Sequence, residues 1–295
     1  MYKELVFNPD DYSIDDEENF NYDLDDYALS DPDFRDLELE DFSIDEPKEF
    51  LDVPYVPSDE KIVQAMLDLG EVTGKDKLYD LGCGDGRIVV AAALERNTRG
   101  IGIDMDPMRI AEAMEYAGNT GVECLVDFFE GDLLEVDFSE ATIVTLYLLD
   151  TVNIMLRPKL LEELRPGTRV VSHAFNMGDW KHDERNYVGG VNLYKWIIPA
   201  KVAGTWEWQA TSDETYRVEL KQKYQKVSGK AWIDGAEAEL KSALLRGDLL
   251  ELMFKKDADS RLVSFVMRHD GEQLVAADGD LQATPAVKVK APRKS

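Results

Sequence analysis

The chain has 295 residues, 44% of them apolar, and a formal net charge of −27 at pH 7. That length and apolar share suit one large or two modest packed domains. The charge argues against nucleic acid as a tightly bound partner, because such binding rests on Lys and Arg neutralising phosphates, and it suits a protein that meets basic proteins. Two cysteines, Cys83 and Cys124, cannot build a disulfide scaffold or a Cys-rich metal site, and three histidines without His/Cys spacing point to no metal. No apolar run approaches the roughly 20 residues of a membrane span, and the N-terminus lacks the basic and apolar regions of a signal peptide. A cytoplasmic location with reduced thiols is expected.

Residues 1–52 carry 20 Asp or Glu against three basic residues, a net of −17. Tyr12, Phe20, Tyr27, Phe34, Phe42 and several aliphatic residues recur among the acids. This mixture predicts a disordered or loosely docked tail. It reads as a solubilising extension, an arm for a basic partner, or a mimic filling a basic groove of the same protein. Order is expected from about residue 53, where Pro54 and Pro57 extend the chain. Ser58 is then expected to cap a helix carrying Ile62, Val63, Met66, Leu67 and Leu69, which Gly70 ends.

From Leu78 short apolar runs alternate with helical ones. Strands are expected at Leu78–Leu81, Gly100–Asp104, Cys124–Glu130, Thr142–Leu148, Arg169–Ala174 and Val191–Ile198. Helices are expected at Gly86–Arg96, from Asp106-Pro107 to the Gly118–Gly121 stop, and around Ile154–Leu164 with an interruption at Pro158. Strands and helices in this order predict a doubly wound α/β sheet over 53–199. After Pro199 the pattern changes to alternating runs, among them Trp206-x-Trp208, Tyr216–Leu220 and Leu249–Phe254, punctuated by turns such as Asp234-Gly235. A smaller antiparallel β-rich domain, an open barrel in form, is expected over 200–282, and a frayed basic tail over 283–295. The two tryptophans are either a docking face or the closure of a barrel end.

The stretch Tyr79-Asp80-Leu81-Gly82-Cys83-Gly84-Asp85-Gly86-Arg87 organises the functional reading. It reads as strand end, glycine loop and helix start, where backbone and the positive end of the helix can approach a ligand. A dinucleotide fingerprint requires glycine at the sixth loop position, which is Arg87, and no Gly-Lys-Ser/Thr of a P-loop follows. The acid followed by three alternating glycines resembles the first motif of class I S-adenosylmethionine-dependent methyltransferases. Asp104 then ends the second strand, where an acid can accept both ribose hydroxyls. Asp132 follows the third strand, where this family's acid meets the adenine amino group.

From Tyr55 to Ile198 the chain is similar, more narrowly, to small protein lysine methyltransferases: the mitochondrial enzymes acting on the ATP synthase c subunit and the adenine nucleotide translocase, and their bacterial relatives. Tyr55-Val56-Pro57-Ser58, Asp85-Gly86-Arg87-Ile88-Val89 and Gly131-Asp132-Leu133 carry that likeness. It implies a Rossmann-like methyltransferase sheet that binds S-adenosyl-L-methionine through Tyr55, Asp80, Gly82, Cys83, Gly84, Gly86, Asp104, Met105, Asp132 and Leu133. It implies a protein substrate, and leaves RNA or small-molecule methylation, or a non-catalytic binding module, as alternatives. The acceptor end of such a sheet lies at the carboxyl ends of its strands. Tyr147 and His173 are the candidates there, with Asp179 and Trp180 on a rim loop.

Overall fold

The computed structural model describes residues 57–256, 260–277 and 282–289. The acidic segment 1–52, Tyr55 and residues 290–295 lie outside them. Among the described residues no helix is long and apolar enough to cross a membrane.

The first helix, α1 (Glu60–Leu69), buries Ile62, Val63, Met66 and Leu67 on one face. Its cap is Asp59, whose carboxylate accepts the Lys61 amide at 2.8 Å. Ser58, expected in that role, stands one residue too early and is itself buried. Next come β1 (Lys77–Leu81), α2 (Arg87–Arg96), β2 (Arg99–Asp104), α3 (Pro107–Thr120), β3 (Val126–Glu130), β4 (Ile143–Leu146), α4 (Asp150–Glu163), β5 (Arg169–His173), β6 (Glu184–Val188) and β7 (Val191–Ile197). They form one seven-stranded sheet in the order β3-β2-β1-β4-β5-β7-β6, with β7 antiparallel to both its neighbours. α4 runs through Pro158 without the expected break. Its buried Leu156 and Leu160 hold it to the sheet across the one missing backbone hydrogen bond. The edge strand β6 escapes sequence reading because its residues are almost all exposed and polar, so no alternation marks it.

Strand order reverses between β1 and β4, and in open α/β sheets the crevice at the carboxyl ends of such a pair receives ligands. Every feature of the site described below lies at or beside that crevice.

A second, antiparallel sheet comprises β8 (Gly204–Gln209), β9 (Thr215–Lys223), β10 (Lys226–Ile233), β11 (Ala236–Arg246), β12 (Leu249–Lys255), β13 (Val263–His269), β14 (Leu274–Ala276) and β15 (Val287–Lys288). Its order is β14-β13-β12-β11-β10-β9-β8-β15. Leu274 pairs with Ala286, the residue before β15, so the two ends meet and the sheet closes into a barrel. Trp206, Trp208, Tyr216, Phe254 and Phe265 fill its interior, so the tryptophans close the barrel and offer no docking face. Within the expected frayed tail, Val287 and Lys288 are instead ladder residues opposite Glu207 and Trp206. Pairing there satisfies an edge that would otherwise stand open. The β9–β10 turn leans on the first sheet. Trp180 Nε1 donates to Gln225 Oε1 at 3.1 Å, and the Tyr224 hydroxyl to Asp179 Oδ1 at 2.9 Å. Trp180 is therefore a buried prop under the loop, packed on Trp196, while Asp179 remains exposed.

Candidate active site

The chain leaves β1 at Leu81 and turns through Gly82, Gly84 and Gly86, all at positive φ (81°, 52° and 75°). At Gly82 a Cβ would stand 2.6 Å from Leu148 Cδ2, so the bare backbone here is what keeps the crevice open. The loop amides are largely used within the protein. Gly82 and Cys83 both donate to Ile103 O (2.8 and 3.0 Å), Gly84 to Asp104 Oδ2 (2.8 Å) and Gly86 to Cys83 O (2.9 Å). This differs from the amide-rich cradle expected from the glycine spacing. A loop whose donors are taken and whose surroundings are acidic suits a cationic nucleoside rather than a phosphate.

The acids converge as expected from the strand ends. Asp80, Asp104 and Asp132 line one cleft together with Gly82, Cys83, Gly84, Met105 and Leu133. Asp104 takes the Asp106 amide on Oδ1 (3.0 Å) as well as Gly84 on Oδ2. Asp132 takes the Leu134 amide at 2.8 Å. Tyr147 lines the same cleft with Leu148, Val152 and Met155. Two expected members do not line the cleft. Gly86 packs inward, where a Cβ would meet the Phe128 ring at 2.7 Å, because it starts α2 in a left-handed conformation. His173 lies behind Tyr147, ring stacked on ring at 3.8 Å. Sequence reading missed Ser58, Asp85 and Arg109 on the walls, and saw in Arg87 only a family marker.

Burial dominates the electrostatics. It pushes the Asp80 carboxyl up to about 7, with Asp104 and Asp85 adding repulsion against a hydrogen bond from Thr145 Oγ1 at 2.7 Å. The Cys83 thiol is likewise pushed up, chiefly by burial, and so is no nucleophile at neutral pH. Burial pulls His173 down to about 4, leaving a neutral imidazole. Because the folded state holds the Asp80 proton more tightly than the unfolded chain, Asp80 supports folding fully below about pH 4, and that support is lost as pH rises to about 7. Relative to Asp80→Asn, the parent is expected to lose about 2–3 kcal/mol between pH 5 and 7. Urea unfolding of both at several pH values checks this, and parallel curves would refute it.

The cradle that a Cβ would fill and the acids at three strand ends fit an S-adenosylmethionine-type ligand. Fold and site together define a Rossmann-like methyltransferase. The sequence profile of the ANTKMT methyltransferase domain matches residues 80–184. A protein-lysine N-methyltransferase of Saccharolobus islandicus is 48% identical over 133 residues, 45% of this chain and 83% of that protein. The adenine nucleotide translocase lysine N-methyltransferase of Mus musculus is 34% identical over 44% of this chain, which spans 57% of the mouse protein's length. A crystal structure described as an RNA methyltransferase from Salinibacter ruber, with S-adenosyl-L-homocysteine, shares 50% identity over 50% of this chain and 96% of its own, with a TM-score of 0.49. The chain belongs to the same S-adenosylmethionine-dependent methyltransferase family as the Saccharolobus protein.

Proposed function

We propose that this enzyme methylates the ε-amine of a lysine in a protein substrate. The observation that carries the reading is the meeting, in one cleft, of Asp80, Asp104 and Asp132 with Tyr147 and the apolar Leu148, Val152 and Met155; its lysine-methylating relatives support the choice of acceptor. Asp104 and Asp132 would hold the ribose and adenine ends, Gly82 and Gly84 would admit the ligand's backbone-facing side, and Met105 and Leu133 would flank it. S-adenosylmethionine, when bound, supplies an activated methyl group for in-line displacement. The protein's own part is alignment and delivery of a neutral amine. Leu148, Val152 and Met155 desolvate the acceptor and so favour loss of its proton, and Tyr147 guides its stem. His173, neutral and covered, acts from behind Tyr147. A cytoplasmic location and a substrate of basic character belong to the same reading, the latter because the chain carries −27.

Incubation of a proteome extract with the enzyme and tritiated S-adenosylmethionine tests this. Label is expected in protein bands and, after hydrolysis, in methyl-lysine. Label confined to RNA or solvent-extractable material would overturn the assignment of acceptor.

A further inference from the structure

Ser58, Arg87 and His173 come from three distant parts of the chain and meet beside the cleft. Asp85 grips the Arg87 guanidinium through both carboxylate oxygens, with Nε to Oδ1 at 2.9 Å and Nη2 to Oδ2 at 2.5 Å. The other edge of that guanidinium donates from Nη1 to the Ser58 carbonyl at 2.5 Å. The Ser58 hydroxyl bonds Nδ1 of His173 at 3.0 Å, and the His173 ring stacks on Tyr147. Ser58 has no helix to cap, since Asp59 does that. Ser58 and His173 are both buried residues (4% and 5% exposed). Just beyond His173, Ala174 sits at φ 66° and the Phe175 amide closes back onto His173 O at 2.8 Å. Such a tight turn is strained for a residue with a Cβ, and strain of this kind persists where the surroundings hold it in place.

We infer that Asp85, Arg87, Ser58 and His173 form a positioning relay that ties the glycine loop to the ring of Tyr147. Asp85 stands on the loop that would embrace the methyl donor and Arg87 opens α2 directly after it, while His173 sets the plane of the ring facing the acceptor. The fork of Arg87 suits the task because it can satisfy a carboxylate on one edge and a carbonyl on the other in fixed geometry, which a lysine cannot. Loading of the donor site is thereby transmitted to the acceptor wall through one buried serine. This rests on the methyltransferase reading, and makes Ser58, Arg87 and Asp85 positioning residues rather than catalytic ones.

The test compares the full chain with Ser58→Ala, Ser58→Thr, Arg87→Lys and the Ser58→Ala/Arg87→Lys double variant. Affinity for S-adenosyl-L-homocysteine is measured by calorimetry, and the initial rate of tritium incorporation into one protein extract at saturating donor. Ser58→Ala is expected to slow transfer about tenfold while changing ligand affinity less than threefold, and Ser58→Thr to restore the rate to within threefold. The double variant should lose less than the product of the two single losses, as linked residues do. The His173 ring resonances, followed by NMR among only three histidines, should move on adding S-adenosyl-L-homocysteine to the parent and to Ser58→Thr but not to Ser58→Ala. The relay is overturned if Ser58→Ala transfers at the parental rate, if the single losses multiply, or if the His173 response survives Ser58→Ala. Absence of ligand binding by the parent would instead bring down the methyltransferase reading, and calorimetry alone distinguishes that outcome.

Discussion

Asp104→Ala is expected to weaken binding of S-adenosylmethionine at least a hundredfold. The reason is that one carboxylate performs two tasks. It holds the Gly84 amide at 2.8 Å and the Asp106 amide at 3.0 Å, so it shapes the loop as well as facing the cleft. Charge-assisted hydrogen bonds contribute about 1.5–3 kcal/mol each. Two to a ribose diol therefore amount to a hundredfold or more in affinity, before any loosening of the loop is counted. Calorimetry on a variant shown by circular dichroism to be folded provides the measurement. An affinity within threefold of the parent would remove Asp104 from the proposed ribose site.

Gly86→Val should lower stability by about 4–5 kcal/mol, enough to unfold a substantial fraction of a marginally stable chain. At φ 75° a β-branched residue is excluded by its own backbone. A Cβ there would also press on the Phe128 ring at 2.7 Å and on Ala113 at 2.8 Å, with nowhere for either to go. The same chemistry has the opposite sign at Gly118, inside α3, where an added Cβ meets nothing within 4 Å. Gly118→Ala should therefore stabilise by roughly 0.5–1 kcal/mol, since alanine has less freedom to lose. Denaturant unfolding of the pair checks both signs at once. Equal effects would mean that the left-handed start of α2 is not fixed by its packing.

The parallel part of the first sheet and the donor half of the site are local in sequence, and so they could be read there. Asp80, Asp104 and Asp132 each follow a short apolar run, and a doubly wound order is enough to bring such strand ends together. What could not be read is held by contacts across long separations or by residues without a periodic signature. The Ser58–His173 bond spans 115 positions, and nothing near Ser58 announces it; by local rules it should have capped α1. The strand β11, Ala236–Arg246, is rich in Ala, Glu, Leu and Lys, all helix formers, and becomes a strand only because β10 and β12 pair with it. Arg87 was legible as a marker but not as a clamp, because its partners Asp85 and Ser58 O belong to a local turn and a distant lead-in. The fate of the loop amides is hidden for a related reason: the glycine spacing leaves their N–H groups open to a ligand, but Ile103 O, Asp104 and Cys83 O accept them.

The acidity of the cleft bears on turnover as well as on binding. Five aspartates line it, Asp80, Asp85, Asp104, Asp106 and Asp132, against two arginines, Arg87 and Arg109. Even with Asp80 partly protonated near neutral pH, the carboxylates outnumber the arginines, whereas the sulfur of a bound donor would begin cationic and end neutral. A wall of net negative charge would thus grip the charged donor more strongly than the spent one. The neighbouring carboxylates, which add to the effect of burial in raising the proton affinity of Asp80 in the free enzyme, would in this way act as a valve, favouring exchange of used for fresh donor without any moving part.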